Sequence, residues 1–385
     1  MEKQPSIRIA QSSAQEARQA VREFHAAVGQ PDMEWVMFFC SSEYELDALA
    51  EEMNRLFAGV QVVGCTTAGE IGPGSYQRHS LSGASFARGS CTAVSGRLDR
   101  LIRFDPARAK GFASELLQRL ESRAPQADSD NSFAFLLIDG LATREESVTY
   151  ALQSALQGVP LVGGSAGDDL KFSKTHVYSE GGFHSDSAVL ILVSTHLPFR
   201  TFKTQNFVST STRLVVTQAD PARRIVREIN GLPAAEEYAR LVGVDIGDLS
   251  PMRFAATPVV LSIGGTDYVR AIQKVNSDGS LSFFCTIEDG LVLRVAHGVD
   301  LVENLEQTFE AIRAEIGAPQ IVFGCDCILR NLEMSRTGDR ARIESIFRHN
   351  NTIGFSSYGE QFHGVHVNQT FTGIAIGAAP GASDE

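Results

Sequence analysis

Three stretches of the chain share one grammar. Gly64-Cys65-Thr66-Thr67-Ala68-Gly69-Glu70, Gly163-Gly164-Ser165-Ala166-Gly167-Asp168 and Gly354-Phe355-Ser356-Ser357-Tyr358-Gly359-Glu360 each run from an apolar strand into glycine, then small hydroxyl residues, then glycine and an acid. Each follows a further apolar stretch, at 35–40, 133–138 and 321–323, and a helix. Such self-similarity means that one supersecondary unit has been copied and that the copies bury their apolar faces on one another. It also means that a catalytic-looking motif inside the repeat has to be weighed against its role in the repeat.

The unit reads β-α-β-β. In the first copy, residues 35–40 form a continuous apolar run, as in a strand buried on both faces. Ser42 and Glu45 have capping-box spacing before a helix with an apolar stripe at Leu46, Leu49, Met53 and Leu56, and Gly59 ends it. Residues 60–64 form the next strand, and 81–86 and 92–98 alternate like antiparallel strands. The second copy repeats the order, with a strand at 133–138, a helix at 143–156 stopped by Gly158, and a hairpin of 177–178 with 188–194 around Gly181-Gly182. The β-α-β part is expected to be a right-handed parallel crossover. Beyond residue 210 the texture changes, with a hairpin turn at Asn276-Ser277-Asp278-Gly279 and a helix over 301–316 capped by Asp300, before the third copy starts near Gln320. The expected architecture is therefore mixed α/β with mixed sheets. An N-terminal helix (1–30) precedes a region of two repeat units (31–215). A second region (216–375) holds the third unit and an inserted α/β segment, packed against the first without a flexible linker.

Composition bounds the function. Of 385 residues, 43% are hydrophobic, so a sizeable core is available, and the net charge is −12 with no clustering of Lys and Arg. This disfavours nucleic acid and anionic membrane surfaces as partners. No apolar run approaches the ~20 residues that span a bilayer, and the polar first 22 residues do not read as a secretory signal. Six scattered cysteines do not make a disulfide framework, so a reducing cytoplasm is expected.

Several residues carry possible chemistry. Gly163-Gly164-Ser165-Ala166-Gly167 matches the nucleophile elbow G-x-S-x-G, but the elbow needs a helix directly after its serine, and Asp168-Asp169-Leu170-Lys171-Phe172 is a poor helix. The repeat explains these glycines better, and no catalytic set is expected. Cys325 and Cys327 end a buried strand on one face. Two readings are open: thiolates for a metal or an iron–sulfur cluster, or small buried hydrophobes. Glu360, His363 and His366 follow the third turn, and His366, Asn368, Thr370 and Thr372 make a polar strand face opposite Val367 and Phe371. That face either lines a ligand pocket, where one imidazole could bind haem iron, or is a solvated outer surface. His349, near a helix end, is a second-choice ligand. Arg330 and Arg336 either fork onto a carboxylate or propionate, or are surface charges.

Taken together, the first turn (64–70), Ile321-Val322-Phe323-Gly324-Cys325-Asp326-Cys327-Ile328-Leu329-Arg330, residues 354–361 and residues 366–373 resemble the FIST family of sensory proteins over nearly the whole chain. The resemblance implies a ligand-sensing module, of the stand-alone, haem-binding nitric-oxide-sensing kind that regulates a separate histidine kinase. It implies His366 as the first functional imidazole, with Tyr358 and Arg330 as further cofactor contacts; His363 and His349 lie outside the matching motifs and are candidates by proximity alone. A second expectation is a metabolite sensor without haem, binding for example an amino acid through Thr66, Thr67, Ser356, Ser357 and Glu360. A homodimer is compatible with either.

Overall fold

The computed structural model describes residues 6–263 and 265–378. Each copy of the repeat runs strand, helix, strand, helix, strand, hairpin, strand. In the first copy these are Ile7–Ser12, Ala17–Val28, Met33–Ser41, Leu46–Leu56, Gln61–Thr67, the hairpin Glu70–Gly72 with Ser75–Gln77, and Leu81–Ala87. The second comprises Cys91–Asp99, Pro106–Arg123, Ser132–Ile138, Glu145–Ala155, Leu161–Ser165, the hairpin Val177–Ser179 with Gly182–His184, and Ser187–Thr195. The third comprises Phe199–Gln205, Leu301–Ile316, Ile321–Cys327, the helices Ile328–Thr337 and Arg340–His349, then Thr352–Ser357, the hairpin Glu360–Phe362 with Val365–Val367, and Thr370–Ile376.

The hairpins tie the copies together. Each copy builds a four-stranded mixed sheet in which its second and third strands pair in parallel, the third at the edge. Its hairpin leaves that sheet and extends a neighbour's. The first hairpin pairs with Thr352–Ser357 of the third copy, the second with Gln61–Thr67 of the first, and the third with Leu161–Ser165 of the second. The exchange closes on itself, giving three six-stranded sheets around a pseudo-threefold axis. Every third strand has its open edge covered by another copy's hairpin, so no long pairing edge is left there.

Alternation along the buried strands sorts side chains to two faces. Trp35, Met37 and Phe39, their counterparts Phe133, Phe135 and Leu137, and Ile321, Phe323 and Cys325 point inward into one shared core. Phe323 lies at its centre, 5.8–6.5 Å from the rings of Trp35, Phe39, Phe86 and Phe135. The alternate residues, such as Val36 and Phe38, Leu136 and Ile138, and Val322, face outward onto the helices of their own copy.

Between the first strand and first helix of the third copy lies an insert, residues 207–298, with its own antiparallel sheet and its own core around Leu214, Val226, Tyr238, Phe254, Leu281 and Leu293. Its two ends meet: Val299 N donates to Asn206 O at 2.7 Å. Phe207, Ala255, Val260, Val269 and Phe284 pack on Ala68, Cys327, Ile328, Leu329 and Tyr358, so the insert caps the end of the ring where the three turns meet.

Several expectations are corrected here. The helix placed in residues 1–30 is the first helix of copy one, preceded by the strand Ile7–Ser12 that pairs with Leu81–Ala87. The boundary near 215 falls inside the strand Phe207–Asp220, because the third copy begins at Phe199 and is interrupted by the insert. Val177–Ser179 pairs with Gly182–His184, not with 188–194, since Ser187–Thr195 is a central strand of its own sheet. The helix Leu46–Leu56 is capped at Glu45 without a side-chain bond, because its start is set three residues later than Ser42 implies. Residues 366–372 are not one strand: Gln369, at φ 52°, turns the chain between Val365–Val367 and Thr370–Ile376.

Candidate functional site

The three turns interlock around the axis. Thr66 N donates to His176 O, Ser165 N to Gly359 O and Ser356 N to Gly69 O, at 2.7–2.9 Å. In return, Gly167 N donates to Thr66 O, Tyr358 N to Ser165 O and Ala68 N to Ser356 O, at 3.0–3.1 Å. The glycines that open the turns are required by close approach: a Cβ on Gly163 would collide with Leu136 O, one on Gly354 with Gly324 O, and one on Gly64 would sit 2.5 Å from Phe38 O.

The hydroxyls expected to contact a ligand are taken up by the protein. Thr66 Oγ1 accepts from His176 N at 3.0 Å, and Ser356 Oγ accepts from Asn331 Nδ2 at 3.0 Å. Thr67 donates to Glu70, and Ser357 to Glu360. Ten residues after each acid, Ser80 and Thr370 complete its shell with a backbone N–H and a hydroxyl. Both carboxyls are fully buried, and desolvation pushes each up to about 8 despite these bonds.

A different arrangement surrounds His366. The third hairpin pairs His366 with Gln361, and Gln361 Nε2 donates both to Ser165 Oγ (2.9 Å) and to His366 Nδ1 (3.3 Å). With Nδ1 accepting, the proton sits on Nε2, which has the Phe284 backbone near the ring but closes no well-formed hydrogen bond. Asn368 has neither side-chain atom paired, and Gln361 Oε1 and Gln369 Oε1 are likewise unpaired. All four residues are at most 2% exposed. Buried polar atoms are nearly always satisfied, so their concentration here needs an explanation. The facing walls come from two elements. The start of the helix Glu145–Ala155 supplies Glu145 and Glu146. The insert supplies Arg224, which bridges both glutamates at 2.6 and 2.7 Å, and Arg270, whose Nε has no partner. Glu146 Oε1 also accepts from Thr286 N at 2.7 Å, and Gln369 Nε2 donates to Ala255 O at 2.8 Å, locking insert to ring. Burial, with Arg224 and Arg270 nearby, lowers the His366 imidazole to about 4, so it is neutral at physiological pH.

The remaining candidates are dispersed. His363 lies at the exposed tip of the hairpin, stacked on Phe362 and bonded to Thr201, away from His366. His349 ends the helix Arg340–His349 and borders an open groove of about 470 Å³ with Phe309, Glu310, Arg313 and Arg342. Arg330 is fully buried and bound to Asp326 (2.6 Å) and Asn206 (3.0 Å), with one terminal nitrogen unpaired, which corrects its reading as a surface charge; Arg336 is exposed. Tyr358 donates to Asp168 at 2.5 Å and accepts from Leu170 N, anchoring the loop after the second turn. Ser165 is buried, meets an amide instead of a base, and is followed by no helix, so the elbow geometry is not formed. Cys325 and Cys327 sit in two separate apolar clusters, their thiols raised well above the usual range by burial. No group of three or more His, Cys, Asp or Glu is gathered as for a metal ion among the described residues. The residues around His366 do not fit haem. Its ring lies against Gly359 and Asn368, its Nε2 bears the proton, and its neighbours are amides and charges instead of the apolar slot a porphyrin face needs.

Sequence reasoning singled out His366 and, as part of the polar face, Asn368. It missed Gln361 and Gln369, which lie beside them in the chain, and also Glu146, Arg224 and Arg270, which reach the site only through the hairpin exchange and the insert.

Among the described residues, no helix is long and apolar enough to cross a membrane. An uncharacterized protein of Methanocaldococcus jannaschii is 23% identical, the match covering 88% of this chain and 73% of that protein. Two solved cyanuric acid hydrolase structures, one from A. caulinodans, are 10% identical, with TM-scores of 0.30 and 0.32. They cover 52% and 76% of this chain, and 72% and 99% of their own chains. Likeness at that level carries no argument on fold or activity. The FIST N domain profile matches residues 34–232 and the FIST C domain profile residues 234–363, and the chain belongs to the FIST family.

Proposed function

We propose that this protein is a small-ligand sensor whose ligand enters the junction between the third hairpin and the insert, at His366, Asn368, Gln361 and Gln369. The observation that carries the reading is the group of buried polar atoms there without protein partners. Interfaces between folded units are preferred ligand sites. A ligand that bonds to both the hairpin and the insert stabilises the docked arrangement by its differential affinity for it, which is how binding becomes a signal. Its receiver would be a partner protein in the cytoplasm. Deuterium exchange on the purified chain tests this: a bound ligand should slow exchange at residues 255–257, 284–286 and 360–370 together. Protection confined to one side of the junction would count against it.

A second reading keeps the haem-based nitric-oxide sensor regulating a histidine kinase; the polar lining of His366 speaks against it, and the one feature in its favour is a neutral imidazole with a ring nitrogen unpaired. Haem titration separates the two. A Soret band that shifts with nitric oxide and disappears in His366→Ala supports haem, whereas an unbound-haem spectrum supports the first reading.

A further inference from the structure

We propose that the ligand of this junction is a small neutral molecule presenting a planar cis-amide edge, an N–H beside a C=O, as in a lactam, an imide or a pyrimidine base. The inference rests on the ligand placement proposed above.

Asn368 carries the argument. It is 1% exposed and neither its Oδ1 nor its Nδ2 has a partner, so the conclusion is the same whichever way the carboxamide is turned. A carboxamide offers one donor and one acceptor side by side, and a neutral edge that satisfies both at once is another cis-amide edge. The residue is held in place: Gln369 turns the chain behind it at φ 52° and is pinned by its bond to Ala255 O. Asn368 Nδ2 and His366 Nε2 lie 2.9 and 2.7 Å from the point a Cβ on Gly359 would occupy, so the two groups are neighbours beside a glycine that leaves them room.

The surroundings match a neutral guest. The unpaired donors are Asn368 Nδ2, His366 Nε2, Arg270 Nε and Arg224 Nε, and the unpaired acceptors are Asn368 Oδ1, Gln361 Oε1 and Gln369 Oε1, so the site offers both kinds. The charged side chains of the walls, Glu145, Glu146, Arg224 and Arg270, cancel, and both terminal nitrogens of Arg224 are already bonded to protein oxygens. Glu145 and Glu146 are already paired with Arg224, so a cationic guest would lose its hydration without gaining a free counter-charge, and an anionic one would have only Arg270. A guest whose N–H is replaced by N-methyl leaves the Asn368 oxygen unpaired, and a site built to bond an N–H rejects such an analogue strongly.

Isothermal titration calorimetry on the full-length protein tests the proposal with succinimide and uracil as cis-amide probes. N-methylsuccinimide serves as the matched probe without the N–H, and alanine and succinate as charged ones. At least one cis-amide probe is expected to bind. N-methylsuccinimide should bind at least tenfold more weakly than succinimide to the wild-type protein, a comparison that needs no variant. Asn368→Ala, checked for an unchanged circular dichroism spectrum, should weaken the cis-amide probe at least tenfold. Equal affinity for succinimide and its N-methyl analogue, or no binding of either cis-amide probe, overturns the ligand class. If alanine or succinate binds instead and is lost in Asn368→Ala, the class falls while the site stands. If a cis-amide probe binds equally well to Asn368→Ala and His366→Ala, the placement falls as well.

Discussion

Glu70 and Glu360 occupy the same place in two copies of the repeat, and burial treats them alike. Each is raised in the folded protein from 4.5 to about 8, so between these values the folded state binds more protons than the unfolded one. Stability from each acid is full below about 4.5 and is lost as pH rises through about 8. His366 works the other way at lower pH. Its folded value of about 4 lies below its ordinary 6.5, so stability rises with pH across that interval and is complete above it. The window from pH 6.5 to 8.5 therefore isolates the acids. Thermal melting should show the midpoint falling across it, and Glu70→Gln with Glu360→Gln should remove most of the slope; an unaltered slope would mean that these carboxyls are already ionised. Gly163 permits an equally local test. Its missing Cβ is the space occupied by Leu136 O of the parallel neighbour strand. Gly163→Ala should cost about 1–3 kcal/mol in urea unfolding, as overpacking does, whereas Gly111→Ala, where nothing lies within 4 Å in the helix Pro106–Arg123, should be neutral or stabilising.

At the scale of the element, capping separates what could be read from what could not. Asp300 was legible as an N-cap, and its carboxylate accepts from Val302 N and Glu303 N at 2.9 Å. Asp300→Ala should therefore lower stability by about 1 kcal/mol, measured by chemical denaturation. Ser42→Ala should change it little, because the helix Leu46–Leu56 uses no side-chain cap. The difference is physical. Asp300 is followed directly by a strongly periodic helix, whereas at Ser42 the strand end and an intervening turn decide where the helix starts. Strands buried on both faces were legible for a related reason: continuous apolar runs such as 133–138 have one economical placement. The hairpins were not. Glu70–Gly72 and Glu360–Phe362 are three residues long, and their partners lie in another copy of the repeat, so no local pattern reports the pairing. For the same reason His366 was visible as an imidazole near a turn, while the Arg224–Glu145 contact that closes the opposite wall was not.

At the scale of the molecule, the ring and the insert make different demands on the chain. The ring has one shared core, with Phe323 touching aromatic rings from the first and second copies. No copy can complete its sheet without a hairpin from another, so the ring should melt as one unit. The insert has a separate core and is joined through Asn206 and Val299, whose backbones are bonded to each other. A chain in which 207–298 is replaced by Gly-Ser-Gly needs only to bridge that short gap, and closing a short loop costs little conformational entropy. Such a variant should keep the helical and sheet signals of the ring and one cooperative transition. It would bare the apolar surface at Ile328, Leu329 and Tyr358 and so bind a hydrophobic dye more strongly. It should also lose any ligand held at His366, since Arg224, Arg270, Phe284 and Thr286 leave with the insert. Loss of the ring's cooperative transition would show that the insert is needed to fold the ring, and retained ligand affinity would show that the hairpin alone forms the site.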